Sequence, residues 1–187
     1  IVGIPTTTKR STVQEAIDDL KELNSNQVCT QYAAGLDDSL SDYIKASRCG
    51  RLRPDLQSRI SDDAHDYVES LPKFKAGDFQ SFRLGNHEVP NHQGSTLERL
   101  EVIQRHGSYA AAHEELVGKD LKTKKRNYSV LRESGVSPTV TCHFQDFVHY
   151  HNPRSPSVRE MARLQSFDDS FIFPGKRMTG GTRRKME

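Results

Sequence analysis

The segment Pro153-Arg154-Ser155-Pro156-Ser157-Val158-Arg159-Glu160-Met161-Ala162-Arg163-Leu164-Gln165-Ser166-Phe167 constrains the fold of this chain more than any other. Ser157 and Glu160 stand three apart, the spacing of a capping box, in which hydroxyl and carboxylate satisfy backbone N–H groups left free in the first helical turn. A helix therefore opens at Ser157, and the proline before the cap lies outside it and is tolerated. Val158, Met161 and Ala162 form its inward face. Arg159 and Arg163 are four apart and share a side of the helix. Partly buried guanidinium groups favour bidentate pairing with carboxylates. Arg154, Arg159 and Arg163 are thus expected to brace the structure, with Glu160 or with distant acids, rather than to meet a ligand.

Other segments carry similar signals. Thr12 and Glu15 have capping-box spacing, and Val13, Ile17 and Leu20 recur as one apolar stripe. Ser95 and Glu98 repeat the spacing before Leu97, Leu100 and Ile103, and Gly107 ends that helix. Helices are also expected over 37–46, 56–71 and 109–117. Ile1–Ile4 reads as the end of a buried strand, and Pro138 to Phe144 alternates with the period of a half-buried one. The stretch from Pro72 to Gly94 is broken by Gly77, Gly85, Pro90 and Gly94. From Gly175 the chain is expected to be loose.

Hydrophobic residues at 34% and charged ones at 28% of 187 allow one domain or two small ones and argue against disorder. The chain opens on Ile1, so a piece of a longer polypeptide is expected. No apolar run nears the roughly 20 residues of a membrane span, and no signal peptide opens the chain. No membrane partner is expected. Residues 1–70 carry 8 basic and 12 acidic side chains, whereas residues 71–187 carry 19 and 13. The basic excess of the second part suits a nucleic-acid surface, and Lys119–Arg132 concentrates it. Cys29, Cys49 and Cys142 are too scattered for a disulfide framework or a metal pair. His143, His149 and His151 crowd one region and His87 and His92 another, but His149 and His151 flank Tyr150 with no cysteine or acid at ligand spacing, so no metal site is assigned.

The 153–167 run resembles, without gaps, the ninth conserved block of cytosine C5 DNA methyltransferases, R-x-L-T-x-R-E-x-A-R-L-Q-x-F-P-D. Pro138-Thr139-Val140-Thr141-Cys142, then Asp146-Phe147-Val148-His149, then Pro153-Arg154 is similar to the stretch that precedes that block. Ile1–Ile4 is similar to the strand ending the eighth block. Thr12–Leu20 resembles the V-x-D-A-I/L-x-D-L segment after it. Asn91-His92, or Asn86-His87, is similar to the Asn-His late in the family's variable region, with Leu97-Glu98-Arg99-Leu100 following. Two departures stand out: the block's Leu-Thr is Pro156-Ser157 here, and its Phe-Pro-Asp is Phe167-Asp168-Asp169.

The resemblance implies an α+β fold: a target-recognition domain plus the edge of a Rossmann-like, S-adenosylmethionine-dependent methyltransferase domain. Residues 1–24 would be the end of a catalytic-domain strand and its helix, 25–137 the target-recognition domain, 138–174 the ninth block returning to the catalytic domain, and 175–187 a flexible tail. The implied reaction moves a methyl group from S-adenosyl-L-methionine to C5 of a cytosine flipped out of a specific DNA sequence. It needs a cysteine after proline, a Glu-Asn-Val block, an eighth-block arginine and a glycine-rich cofactor loop. None of these motifs stands in the chain. No catalytic or cofactor-binding residue is therefore assigned, the cofactor site is expected mostly in an N-terminal part, and this chain alone should be inactive. The tenth block, G-N-A-V-P-P, is absent as well.

What remains is DNA contact, with double-stranded DNA as one partner. The other would be the catalytic part, on the same polypeptide or on a separate subunit. Phosphates need cations and base edges need polar groups, which nominates Asn86, His87, Asn91, His92, Arg99, Lys122, Lys124, Lys125, Arg126 and Asn127. The expected setting is a bacterial or phage-encoded cytoplasmic protein. A non-enzymatic DNA-binding subunit or relic of the family is the alternative, and an RNA methyltransferase of the same superfamily a further one.

Overall fold

The computed structural model describes residues 10–32, 39–48, 84–92, 94–140, 146–169, 171 and 173. The strand expected over 1–4, the helix over 56–71 and the tail from 175 lie outside these residues.

Helix α1, Val13–Ile17, runs into a tighter turn at Asp18–Leu20. Its capping box forms: Thr12 Oγ1 accepts from the Glu15 N–H at 3.1 Å, and Glu15 Oε2 accepts from the Thr12 N–H at 2.9 Å. The loop carbonyls of Gly135 and Glu133 accept from Val13 N and Gln14 N at 2.8 and 3.0 Å, so most of the free donors of the first turn are met. Val13, Ile17 and Leu20 are buried as the stripe requires.

Helix α2, Asp42–Arg48, begins later than expected. Ser41 Oγ accepts from Ile44 N at 3.1 Å and caps its start. Helix α3, Ser95–His106, is the longest described. The expected box at Ser95 does not form, because Ser95 is already the first helical residue. Gly94 takes the cap position at φ 50°, and its carbonyl accepts from Glu98 N. At the other end Gly107, φ 82°, closes the helix by donating to Ile103 and Gln104. Helix α4, His113–Gly118, follows a turn over 109–112, where a longer helix was expected.

Strands β1, Ser129–Val130, and β2, Phe147–Val148, pair in parallel. Of the strand expected over 138–144, residues 138–140 carry none and 141–144 lie outside the described residues. Pro138 has no N–H for a ladder, and the carbonyls just before it are used to cap α1. The ladder divides two apolar clusters. Leu100, Val102, Ile103, Tyr109, Ala112, Leu116 and Leu121 lie with Val148 and Val130 on one side. Val13, Ala16, Ile17, Met161 and Leu164 lie with Phe147 and Leu131 on the other. Successive strand residues face opposite ways, so two ladder residues suffice to join both clusters. Helix α5, Val158–Leu164, packs on α1 in the second.

Candidate functional site

Helix α5 has no wet side. Ser157, Arg159, Glu160 and Arg163 are each 0% exposed, and Met161, Ala162 and Leu164 are buried with them. Its capping box forms, with Ser157 Oγ accepting from Glu160 N at 3.1 Å and Glu160 Oε2 accepting from Ser157 N at 2.7 Å. Only Val158, expected inward, is half-buried.

Each arginine reaches a different part of the chain. Arg154 grips Glu160 with both terminal nitrogens, at 2.8 and 2.7 Å, and donates through Nε to the Leu23 carbonyl and through Nη2 to that of Lys21. Asn152 Nδ2 donates to the same two carbonyls. Arg159 donates to the carbonyls of Gly85, Asp168 and Phe171 at 2.9, 2.9 and 2.6 Å. Arg163 lies between two carboxylates: it meets Asp169 at 2.9 and 2.6 Å and Asp19 at 2.5 and 3.2 Å, and it also reaches the Ala16 carbonyl. Arg48 meets Asp19 at 2.6 Å and lies over the Tyr32 ring, and the Tyr32 hydroxyl donates to Asp169.

These environments separate the two arginines that face Asp169. Burial disfavours charge on both. For Arg163 the paired oxygens of Asp169 and Asp19 outweigh burial, and its pKa rises. Arg159 is lowered by burial, since Asp169 stands 3.7 Å away and its other partners are neutral carbonyls. Burial would also raise Glu160, but Arg154 holds it down at about 2. His149 is pushed down to about 4 by burial. Its Nδ1 accepts from the His151 N–H at 3.0 Å, which leaves the proton of the neutral ring on Nε2. That Nε2 points toward Glu160 Oε1 at 3.5 Å without forming a hydrogen bond.

The DNA-contact candidates divide into two groups. His87 is buried, its burial lowers its pKa, and its Nδ1 lies 2.8 Å from Ser157 Oγ. Asn86, at φ 61°, donates from Nδ2 to the Phe173 carbonyl at 2.9 Å and accepts from Phe173 N at Oδ1 at 3.0 Å. The His92 backbone exchanges hydrogen bonds with Ser25 Oγ, and its Nε2 accepts from Ser155 N at 3.3 Å. Arg99 donates to the Leu121 carbonyl at 2.6 Å. These four are taken up by the protein itself; Asn91 is exposed.

The second group lies on the segment between α4 and β1. Lys122, Lys124, Arg126 and Asn127 are exposed there. Lys125 differs: its ammonium pairs with Asp146 at 2.7 Å and lies 4.8 Å from the centre of the Tyr128 ring. The segment is anchored by Leu121 and Tyr128 in the first cluster, by Tyr109 stacked on Tyr128, and by the Tyr109 N–H donating to the Tyr128 carbonyl. It therefore presents cations from a fixed base.

Among the described residues no group of three or more His, Cys, Asp or Glu side chains could hold a metal. Nor is any described helix long and apolar enough to cross a membrane. A cavity of about 50 Å³ lies among Asp19, Leu20, Leu84, Cys29 and His87. A nucleoside-sized cofactor needs several times that volume, so it does not fit there. The sequence had assigned a role to the arginines and Glu160 but none to Asp19, Asp169, Arg48 or Tyr32. Asp169 stands at the block's closing acid, and Asp19, 144 positions before Arg163, shares no local spacing with it, so no pattern paired either with that arginine.

The model of the C-5 cytosine-specific DNA methylase family matches residues 5–186. The chain is 32% identical over 113 residues to the Type II methyltransferase M1.HphI of Haemophilus parahaemolyticus, covering 60% of this chain and 29% of that one. It is 32% identical over 102 residues to the Type II methyltransferase M.AquIB of a Picosynechococcus species, covering 54% and 68%. With the Type II methyltransferase M.DdeI of Desulfomicrobium norvegicum it shares 51% identity over 43 residues, 22% of this chain and 10% of that one. A family match spanning nearly the whole chain makes this protein a member of the C-5 cytosine-specific DNA methylase family.

Proposed function

We propose that this chain is the DNA-recognition portion of a DNA (cytosine-5-)-methyltransferase, with the ninth-block helix as its frame. The observation that carries the reading is the exposed set Lys122, Lys124, Arg126 and Asn127. It projects from a rigidly anchored segment in a member of a DNA methylase family. Cations there neutralise phosphates, and Asn127 offers an amide to a base edge. Holding the flanking duplex offsets the few kcal/mol lost when a cytosine leaves the stack. S-adenosyl-L-methionine enters through the family, and the residues that would hold it belong to the catalytic part. No step of the transfer is assigned to the described residues.

The test is methyl transfer from labelled S-adenosylmethionine to mixed-sequence duplex DNA. This chain alone should give none. The complete enzyme, with a Pro-Cys and a Glu-Asn-Val in its frame, should give turnover. Turnover by the chain alone would overturn the assignment.

A second reading has one observation in its favour. The 102 residues matched in M.AquIB are 68% of it, so that Type II methyltransferase runs to about 150 residues. A chain of that size leaves room for a separately encoded catalytic subunit. The reading frame upstream of Ile1 decides between the two arrangements.

A further inference from the structure

The segment between α4 and β1 alternates. Leu121 is buried and Thr123 and Lys125 are half-buried, whereas Lys122, Lys124 and Arg126 are exposed. This is the period of an extended chain, in which successive side chains point to opposite sides. Each inward residue is pinned, and each from a different place. Arg99 on α3 donates to the Leu121 carbonyl at 2.6 Å. The Tyr109 hydroxyl stands between the Thr123 carbonyl and the Thr123 N–H, at 3.5 and 3.4 Å. Lys125 is tied to Asp146, just ahead of β2, at 2.7 Å. Tyr128 then stacks on Tyr109. The outward residues are thus held as a row.

The row has a step. In an extended chain, residues two apart are separated by about 6–7 Å. A bend at Lys124 shortens that step slightly, and the flexible lysine stem takes up the difference. Successive phosphates on one strand of B-DNA are about 7 Å apart, from a rise of about 3.4 Å per nucleotide combined with the helical turn. The two repeats match over three positions. Among the described residues, none of Lys122, Lys124 and Arg126 forms an ion pair, so the row faces outward with its charge available to a polyanion.

We propose that Lys122, Lys124 and Arg126 seat three successive phosphates on one strand of duplex DNA, one cation to each, and that Lys125 stays outside this register. This rests on the proposed function and deepens it: a set of cations becomes an ordered row along a single strand. DNA is the polyanion because the chain belongs to a DNA methylase family. The charge of Lys125 is taken up by Asp146, and its ammonium lies over the Tyr128 ring. It therefore holds the middle of the row in place without meeting a phosphate.

The test uses the complete enzyme. Its methylated site is first read from mixed-sequence duplex DNA treated with S-adenosylmethionine. Duplexes carrying that site are then made with one phosphate at a time replaced by an uncharged methylphosphonate, and affinities are measured by fluorescence anisotropy. Each contacted phosphate should be worth about eightfold at about 0.1 M salt, the factor that a log–log slope of about 0.9 gives over a tenfold dilution from 1 M. Three neighbouring phosphates on one strand should each lose their effect in a single variant. Lys124→Ala should become insensitive to the middle one, and Lys122→Ala and Arg126→Ala to one neighbour each. Lys125→Met, which keeps the stem over Tyr128, should stay sensitive to all three. Circular dichroism checks that the variants fold alike. Effects on both strands, effects on phosphates that are not neighbours, or a pattern that no variant changes would each overturn the register. So would a phosphate that loses its effect in Lys125→Met. If the enzyme methylates no duplex DNA, the functional reading falls and this inference with it. If it methylates while the register is absent, only this inference falls.

Discussion

Replacing Arg163 by alanine should destabilise the protein more than any surface change. The side chain is fully buried and donates to both oxygens of Asp169, to both of Asp19, and to the Ala16 carbonyl. Asp19 would keep Arg48 as a partner. Asp169 would keep the Tyr32 hydroxyl and an arginine 3.7 Å away, too little to offset a buried charge. A partly buried pair would suggest about 1–3 kcal/mol; removing one side of a fully buried pair costs about 3–5 kcal/mol. Since one of the two acids stays paired, the lower half of that range applies, about 3–4 kcal/mol. For a chain of this size that lowers the melting temperature by roughly 10 °C. Urea denaturation followed by circular dichroism measures it, and the Arg163→Ala/Asp169→Ala double variant should lose less than the two single variants together. A loss below about 1 kcal/mol, the value of an exposed pair, accompanied by weakened DNA binding, would refute the reasoning and make Arg163 a contact residue.

Three further outcomes follow from the same structure. His149 is held near pKa 4 against an ordinary 6.5, so the unfolded chain takes up a proton that the folded one refuses. Stability should be full above about pH 6.5 and fall by about 3 kcal/mol toward pH 4, a slope that His149→Phe should flatten in pH-dependent urea titrations. Duplex binding should weaken with salt, and Lys122→Ala/Lys124→Ala/Arg126→Ala should reduce the log–log slope by roughly 2–3 units. Lys125→Ala, which removes a cation already paired with Asp146, should leave that slope nearly unchanged in fluorescence-anisotropy titrations. Gly107→Ala, forced into the left-handed region at φ 82°, should cost about 1 kcal/mol in the same denaturation assay.

The helix punctuation was legible wherever a local rule sufficed. Thr12 with Glu15, Ser157 with Glu160, and Gly107 each act within a few residues of themselves. The rule failed at Ser95, where the preceding Gly94 could adopt a backbone that made a side-chain cap unnecessary. Alternation shows what a segment could do on a half-buried sheet, whereas the pairing of Phe147 and Val148 is set by distant packing, each completing a different apolar cluster. Periodicity gave α5 an inward face of Val158, Met161 and Ala162 but could not place its arginines. Only the positions of Asp19, Asp169 and the loop carbonyls show that this helix is charged and interior at once. Asn86 and His87 were nominated for a polar outward role, and their geometry turns both toward the protein.

The partners of Arg154 and Arg159 carry a consequence for how such a domain diversifies. Apart from Glu160 and a longer approach to Asp169, what these guanidiniums hold is main chain: the carbonyls of Lys21, Leu23, Ser155, Gly85, Asp168 and Phe171. Every residue type offers the same carbonyl oxygen. The arginines therefore work as internal solvent, hydrating loops from the inside without reading their side chains. A loop seated on them can exchange its side chains, and with them what it presents outward, while its path through space stays fixed.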